Sequence, residues 1–456
     1  MAITDFWNFQ PDSSNDIALI TENDESISYG ELDNLVESFK ASLPESRNLV
    51  FLYASNSLKT VVAYTACLRS SCPVLLLAPG LANDIQDRLL STYNPNLLIH
   101  EGVVTHRHEK CLELHQGLAV MLSTSGSTGS PKLVRLSKKN LSANAGSIAS
   151  YLGLGRSEVA VTSLPFNYSY GLSVINSHLH VSATLVLIGQ SIISREFWAA
   201  VKKHSVTSFA GVPYTYQMLR KLKLERFPTG TLRYLTQAGG KLDAESVRYF
   251  HKTCKSLGKA FYVMYGQTEA TARIAFVPSE RLEEKAGSIG VAIPGGHLSL
   301  VGRDGDEITS PNCEGELVYS GDNVMLGYAS KLADLALGDE QHGRLSTGDV
   351  GYFDDEGFFY ITGRLKRFLK IFGLRLSLDQ IDDTLAIAGF EAIAGGEDDL
   401  LKLAVVGDRE DGIKARQLIA DKYKINVNRI DVVSVEKIAR KHSGKIDYKR
   451  LFEYEQ

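Results

Sequence analysis

The chain has 456 residues, 44% hydrophobic and 22% charged, with 49 Lys+Arg against 53 Asp+Glu and a formal charge of −4. The length is too great for one ordinary core and predicts two to four domains or subdomains. The balanced charge gives no reason to expect nucleic acid or an anionic membrane as partner, and no apolar run reaches the roughly 18 residues of a membrane span.

Met1 to Pro11 lacks a basic region followed by an apolar run, so no secretion signal is expected and the cytoplasm is the expected location. Leu49–Tyr53, Pro73–Leu77 and Leu97–Ile99 are short continuous apolar runs, the mark of strands buried on both faces. Between them, Leu58–Arg69 and Asp84–Thr92 have helical length and spacing. Buried strands separated by helices predict a parallel sheet covered on both faces. Strands near Leu185–Ile188, Ser208–Ala210 and Phe261–Met264 repeat the theme. From about Gly287 to Thr362 glycines are frequent and strands short, as at Gly315–Tyr319 and Phe358–Ile361, which predicts a mainly antiparallel subdomain. A basic stretch, Lys366 to Lys370, follows Arg364; a boundary is expected at residues 364–367. Beyond it come a strand at Leu403–Val406 and a helix at Ile413–Lys422. The expected class is therefore α/β. A large N-terminal domain of βα-layered subdomains, with a small β-rich subdomain, spans residues 1–364, and a small α+β C-terminal domain spans 365–456. The cysteines, Cys67, Cys72, Cys111, Cys254 and Cys313, form no CxxC pair, so neither a disulfide framework nor a zinc cluster is expected.

The strongest local signal is Thr124-Ser-Gly-Ser-Thr-Gly-Ser-Pro-Lys132, directly after the apolar Ala119–Leu122. Gly126 and Gly129 let backbone approach a ligand and turn its N–H groups inward; Thr124, Ser125, Ser127, Thr128 and Ser130 add hydroxyl donors; Lys132 adds positive charge. That combination suits a polyphosphate. A Ser/Gly surface turn is the competing reading, and the preceding strand and the closing Pro131-Lys132 weigh against it. The run does not fit GxxxxGK[ST], which disfavours a kinase-like or GTPase-like loop.

The segment resembles the signature loop of the adenylate-forming superfamily, which includes acyl-CoA synthetases, aryl acid ligases, peptide-synthetase adenylation domains and luciferase. Four further segments resemble that family's motifs in the family's order. Tyr265-Gly266-Gln-Thr268-Glu269 resembles YGxTE; the match implies that Thr268 donates to a phosphate and that Glu269 carries Mg2+, a hard cation that prefers oxygen. Ser346-Thr-Gly-Asp349 resembles STGD, whose Asp accepts from the ribose hydroxyls. Gly363-Arg364, then Lys366, Lys370, Gly373 and Arg375, resemble the hinge motif, with Leu369 in place of its Ile. The match places Arg364 on ribose or phosphate and Lys366 at the hinge about which the small domain moves. Ser443-Gly-Lys445-Ile-Asp447 resembles the late SGKID motif and makes Lys445 the catalytic lysine. Gln237-Ala-Gly239-Gly240 resembles a segment lining the adenine and acyl pocket.

The resemblance implies attack of a carboxylate on the α-phosphate of Mg-ATP, giving acyl-AMP and pyrophosphate, then transfer of the acyl group to an acceptor. The acceptor is CoA or the phosphopantetheine thiol of a separate carrier protein, with an amine as the alternative. The acid-pocket segment is Leu164-Pro-Phe-Asn167-Tyr168-Ser169-Tyr-Gly171. Ser169 falls where amino-acid-activating relatives carry an Asp, and a one- or two-residue shift of the match brings Asn167 there; neither is a carboxylate. A buried ammonium without counter-charge is costly, so an acyl or aryl acid is favoured over an amino acid, which stays as the alternative. Tyr214, Tyr216 and Gly239 are further pocket candidates.

Overall fold

Strands that are apolar on both faces must be covered on both faces, and helices supply that cover here. The computed structural model describes residues 5–123, 132–302, 304–365, 367–371, 374–397, 399–440 and 446–452. The chain divides into two compact units, residues 1–298 with 319–345, and residues 299–318 with 346–456.

The first unit is built on two sheets. One has seven strands in the order Gly327–Ala329, Leu133–Ser137, Leu118–Ser123, Val74–Leu77, Val50–Tyr53, Leu97–His100, Val103–His106. Its centre is parallel, with Val50 opposite Val74 on one side and Leu97 on the other; its edges are antiparallel. Leu58–Arg69 is a helix, as its spacing predicts, and Thr60 to Leu68 are all buried. It starts at Ser57, whose hydroxyl accepts from the Thr60 N–H and so satisfies one orphan donor of the first turn.

The other sheet has nine strands, in the order Val291–Ala292, Ala275–Val277, Ala260–Tyr265, Tyr234–Gln237, Ser208–Gly211, Val159–Val161, Thr184–Val186, Ile17–Ile20, Ser26–Ser28. Five consecutive pairings from Ala260–Tyr265 to Ile17–Ile20 are parallel. The strand expected to run to Ile188 ends at Val186, because the Ile188 N–H turns to the Thr162 hydroxyl at 2.9 Å.

The second unit carries the antiparallel texture expected of the glycine-rich stretch. Leu300 pairs with Ile308, and Arg344–Phe353 pairs with Phe359–Arg364. Its C-terminal part is α+β, as expected: strands Ala392–Glu397, Leu400–Val406 and Ile430–Val435 form one sheet with helices Leu378–Ile387 and Arg409–Tyr423. Ile381, Leu385, Leu401, Leu403, Ala415 and Ile419 form its core, all fully buried. Arg367 ties the hairpin Phe368–Ile371/Leu374–Ser377 into it, pairing with Asp379 and Asp382 and donating to the Ala394 carbonyl at 2.9 Å.

All five cysteines are free: Cys67, Cys72 and Cys254 are buried, Cys111 and Cys313 exposed. Among the described residues no helix is long and apolar enough to cross a membrane.

Candidate active site

The strand Ala260–Tyr265 delivers its last residues to a tight turn. At Gly266 an added Cβ would overlap the Ala272 carbonyl oxygen, so only glycine fits. One 3-10 turn, Thr268–Ala270, follows, then Thr271 in the left-handed region at φ +62°. Asn323 pins this turn: its Nδ2 donates to the carbonyls of Ala270 and Arg273, each at 2.8 Å. The Thr271 hydroxyl donates back to the Asn323 carbonyl at 2.6 Å. The Met325 N–H donates to the Glu269 carbonyl at 2.9 Å. The backbone under Thr268 and Glu269 is therefore held from both sides before any ligand binds.

The side chains of this turn converge with residues far away in sequence. The Thr268 and Ser169 hydroxyl oxygens are 3.3 Å apart. The Tyr328 hydroxyl donates to Glu269 Oε1 at 2.9 Å. Lys132, the last residue of the Ser/Gly loop, places its ammonium 3.6 Å from the centre of the Tyr328 ring. One aromatic side chain thus bridges Lys132 and Glu269. Burial pushes the Tyr328 phenol up, and the Glu269 charge pushes it the same way, so it stays a proton donor.

On the acid side, Asn167 and Tyr168 precede the helix Ser169–His180 and are half-buried. Gly239, at φ +85°, lies against Tyr168: an added Cβ there would overlap the phenolic oxygen and crowd Val212. Burial raises the Tyr168 phenol, and Arg273 partly opposes the rise. The neighbouring Gln237 donates to the Gly240 carbonyl at 2.9 Å, and Gln267 donates to the Tyr265 hydroxyl at 3.1 Å. The two tyrosines of the helix Pro213–Leu222 differ. Tyr214 is 47% exposed at its first turn. Tyr216 is fully buried, donates to the Thr236 carbonyl at 2.8 Å and packs edge-on against Phe250 and Phe261; it is a core residue.

In the second unit, Asp349 and Arg364 face each other across the strands of one hairpin. Asp349 is 1% exposed, and Arg364 Nε donates to its Oδ1 at 2.7 Å. Gly348, in the left-handed region at φ +73°, precedes it, and the Asp349 N–H donates to the Thr347 hydroxyl at 3.1 Å. Thr124, Ser125, Gly126, Ser127, Thr128, Gly129, Ser130, Lys366 and Lys445 lie outside the described residues.

Sequence reasoning missed Tyr328, Asn323 and Arg273. Tyr328 and Asn323 reach the turn only through the fold, more than fifty residues after Glu269, and nothing local marks them. Arg273 does carry a signal: it is the one charge in the small, apolar run Ala270–Val277.

The donor set suits a nucleotide with its cation. Among the described residues no group of three or more His, Cys, Asp or Glu could hold a metal. One carboxylate beside a hydroxyl fits Mg2+, which keeps most of its waters and shares phosphate oxygens.

Residues 107–329 match the family model described as AMP-binding enzyme. This stretch of the chain is similar to AMP-binding enzymes, and the fold is the one seen in solved adenylate-forming enzymes. Among sequence relatives, the chain is 31% identical to the sulfoacetate–CoA ligase of Cupriavidus necator, over 59% of this chain and 51% of that protein. It is 30% identical to the 2-succinylbenzoate–CoA ligase of Bacillus pumilus, over 73% of this chain and 65% of that protein. The chain thus spans about half to two thirds of the length of these curated relatives. Among solved structures it is similar to o-succinylbenzoate CoA synthetase (MenE) of Bacillus subtilis with its acyl-adenylate, with TM-score 0.78 and 22% identity over 95% of this chain and 94% of that one. It is also similar to ATP-bound MatB of Rhodopseudomonas palustris, with TM-score 0.80 and 20% identity over 99% of both chains.

Proposed function

We propose that this chain is an AMP-forming acid–thiol ligase. It joins an acyl or aryl acid to AMP, releases pyrophosphate, and passes the acyl group to a thiol. The observation that carries the reading is the convergence of Ser169, Thr268, Glu269, Tyr328 and Lys132, drawn from four separate stretches of chain, on one pinned turn.

The chemistry follows from what these groups can do. Attack of a carboxylate on the α-phosphate brings two anions together, so the protein's tasks are positioning and charge stabilisation. The Thr268 hydroxyl donates to phosphate, and Lys132, with the loop Thr124–Gly129, steadies the polyphosphate. Glu269 would hold Mg2+, which when bound neutralises phosphate charge; Tyr328 fixes that carboxylate's rotamer. Asp349 takes the ribose hydroxyls, with Arg364 orienting it. The Lys445 ammonium would neutralise charge on the attacking carboxylate and the α-phosphate. Lys366 is the hinge about which residues 365–456 turn between adenylation and transfer.

Relatives named as CoA ligases favour CoA as acceptor, with a carrier-protein thiol as the second candidate. The cytoplasm is the proposed location. An amino-acid substrate is disfavoured because Asn167, Tyr168 and Ser169 offer no carboxylate for its ammonium. A pyrophosphate-exchange screen over fatty, aryl, hydroxy and amino acids, followed by CoA and carrier acceptors, tests the reading. Exchange with an acyl or aryl acid is expected; ATP never split into AMP and pyrophosphate would refute it.

A further inference from the structure

Two arginines among the described residues are buried, and they differ in one respect. Arg135 pairs with Glu340 and donates to the carbonyls of Tyr328, Leu337 and Gly338, so each of its three guanidinium nitrogens has a partner. Arg273, 2% exposed, forms no ion pair, and its Nε has no hydrogen-bond partner. Its guanidinium carbon lies 4.0 Å from the centre of the Tyr170 ring; it hydrogen-bonds the Tyr151 phenol and acts electrostatically on Tyr151, Tyr168 and Tyr170, none of which supplies a counter-charge. A tyrosine face offsets only part of the cost of burying a full charge.

The place of that charge matters. Arg273 lies four residues beyond Glu269, and its carbonyl is one of the two that Asn323 grips. Its guanidinium stacks on Tyr170, the residue next to Ser169, whose hydroxyl meets Thr268. It lines a cavity of about 20 Å³ together with Ser173, His178, Tyr234, Thr236 and Met264. That space holds about one water molecule or one carboxylate oxygen. No Asp or Glu lines it, and His178 is kept neutral by burial, which pulls it down to about 4.

We propose that Arg273 is the counter-charge for a second anionic group, a distal carboxylate or sulfonate, on the acid substrate. The inference rests on the ligase reading for its substrate; the unpaired charge stands without it. The acid's reacting carboxylate lies toward Thr268, and one oxygen of its far anionic group reaches the cavity lined by Arg273. The apoprotein bears the cost of an unmatched buried cation, and the substrate relieves it.

Heat denaturation and pyrophosphate exchange together test this. Without ligand, Arg273→Met is expected to melt roughly 2 °C or more above wild type, because an unmatched charge has been replaced by an apolar chain. Succinate and glutarate should raise the wild-type melting temperature more than butyrate and valerate at matched ionic strength. Arg273→Met should lose that difference, and Arg273→Lys should keep part of it. In exchange, Arg273→Met should lose at least tenfold in kcat/KM for the dicarboxylates and little for the monocarboxylates. A lower melting temperature in both Arg273→Met and Arg273→Gln would make the residue structural and overturn the proposal. So would a wild-type protein that no dicarboxylate stabilises beyond its monocarboxylate partner. Dicarboxylate binding that depends on Arg273, without exchange by any acid, would leave this inference standing and sink the ligase reading instead.

Discussion

Arg364 Nε donates to Asp349 Oδ1 at 2.7 Å, although the carboxylate is buried and 60% of the arginine side chain is exposed. Antiparallel pairing sets the two residues opposite each other, so the hairpin register orients the carboxylate before any ribose arrives. The pair couples the STGD aspartate to the start of the basic hinge stretch.

Because Arg364 lies mostly in water, removing its partner should cost the fold little. Asp349→Ala is expected to lower ATP affinity about tenfold to a hundredfold, the scale of a hydrogen bond to a charged group. Calorimetric titration with ATP measures it, and an unchanged affinity would remove Asp349 from the ribose site.

Glu269→Gln keeps an acceptor for the Tyr328 hydroxyl but loses the charge. Exchange is expected to fall about a hundredfold and to need more Mg2+. Tyr328→Phe should cost less than about tenfold, since it frees a rotamer and removes no ligand. Chelation with EDTA should abolish exchange in wild type. A magnesium titration across the three proteins decides it; a wild-type magnesium profile in Glu269→Gln would count against the metal role.

Lys445 and Lys366 should separate the two half-reactions. Lys445→Ala is expected to cut adenylation by roughly two to four orders of magnitude, as loss of a charge-stabilising group can. Lys366→Pro, which fixes a backbone angle at the hinge, should spare exchange and block thioester formation. Exchange and full turnover measured side by side test both, and equal loss of both steps in Lys366→Pro would contradict the hinge.

His178 gives a pH prediction. It is 3% exposed, its Nδ1 donates to the Val174 carbonyl at 2.7 Å, and burial pulls its pKa down to about 4. Below about pH 6.5 the unfolded chain takes up a proton that the folded chain refuses until about pH 4. Stability is therefore full above 6.5 and falls as the pH drops toward 4, by roughly 3 kcal/mol from this group. Urea unfolding of wild type and His178→Gln between pH 4 and 7 should show a shallower decline in the variant. Parallel declines would show that this imidazole is not what titrates.

The sequence and the fold agree where one residue's neighbours decide its state. Leu58–Arg69 is legible as a helix because its apolar spacing and Ser57 cap are local. The YGQTE turn is legible because Gly266 is required by a backbone contact only six residues away. Tyr216 looks like a pocket residue next to Tyr214, yet helical geometry turns it into the core while Tyr214 stays at the surface. The edge strand Ser26–Ser28 carries a single apolar residue and becomes a strand only by pairing with Ile17–Ile20. Tyr328 reaches Glu269 only because its strand, Gly327–Ala329, pairs with Leu133–Ser137, which also fixes where Lys132 lies.

The cysteine distribution has a practical use. Cys111 belongs to the first unit and Cys313 to the second, and both are exposed. Burial pushes the thiols of Cys67 and Cys72 up, and that of Cys254 to about 12. Maleimide dyes should therefore react at one native site per unit. Both sites precede the proposed hinge at Lys366, so energy transfer between dyes attached there should stay constant while residues 365–456 turn.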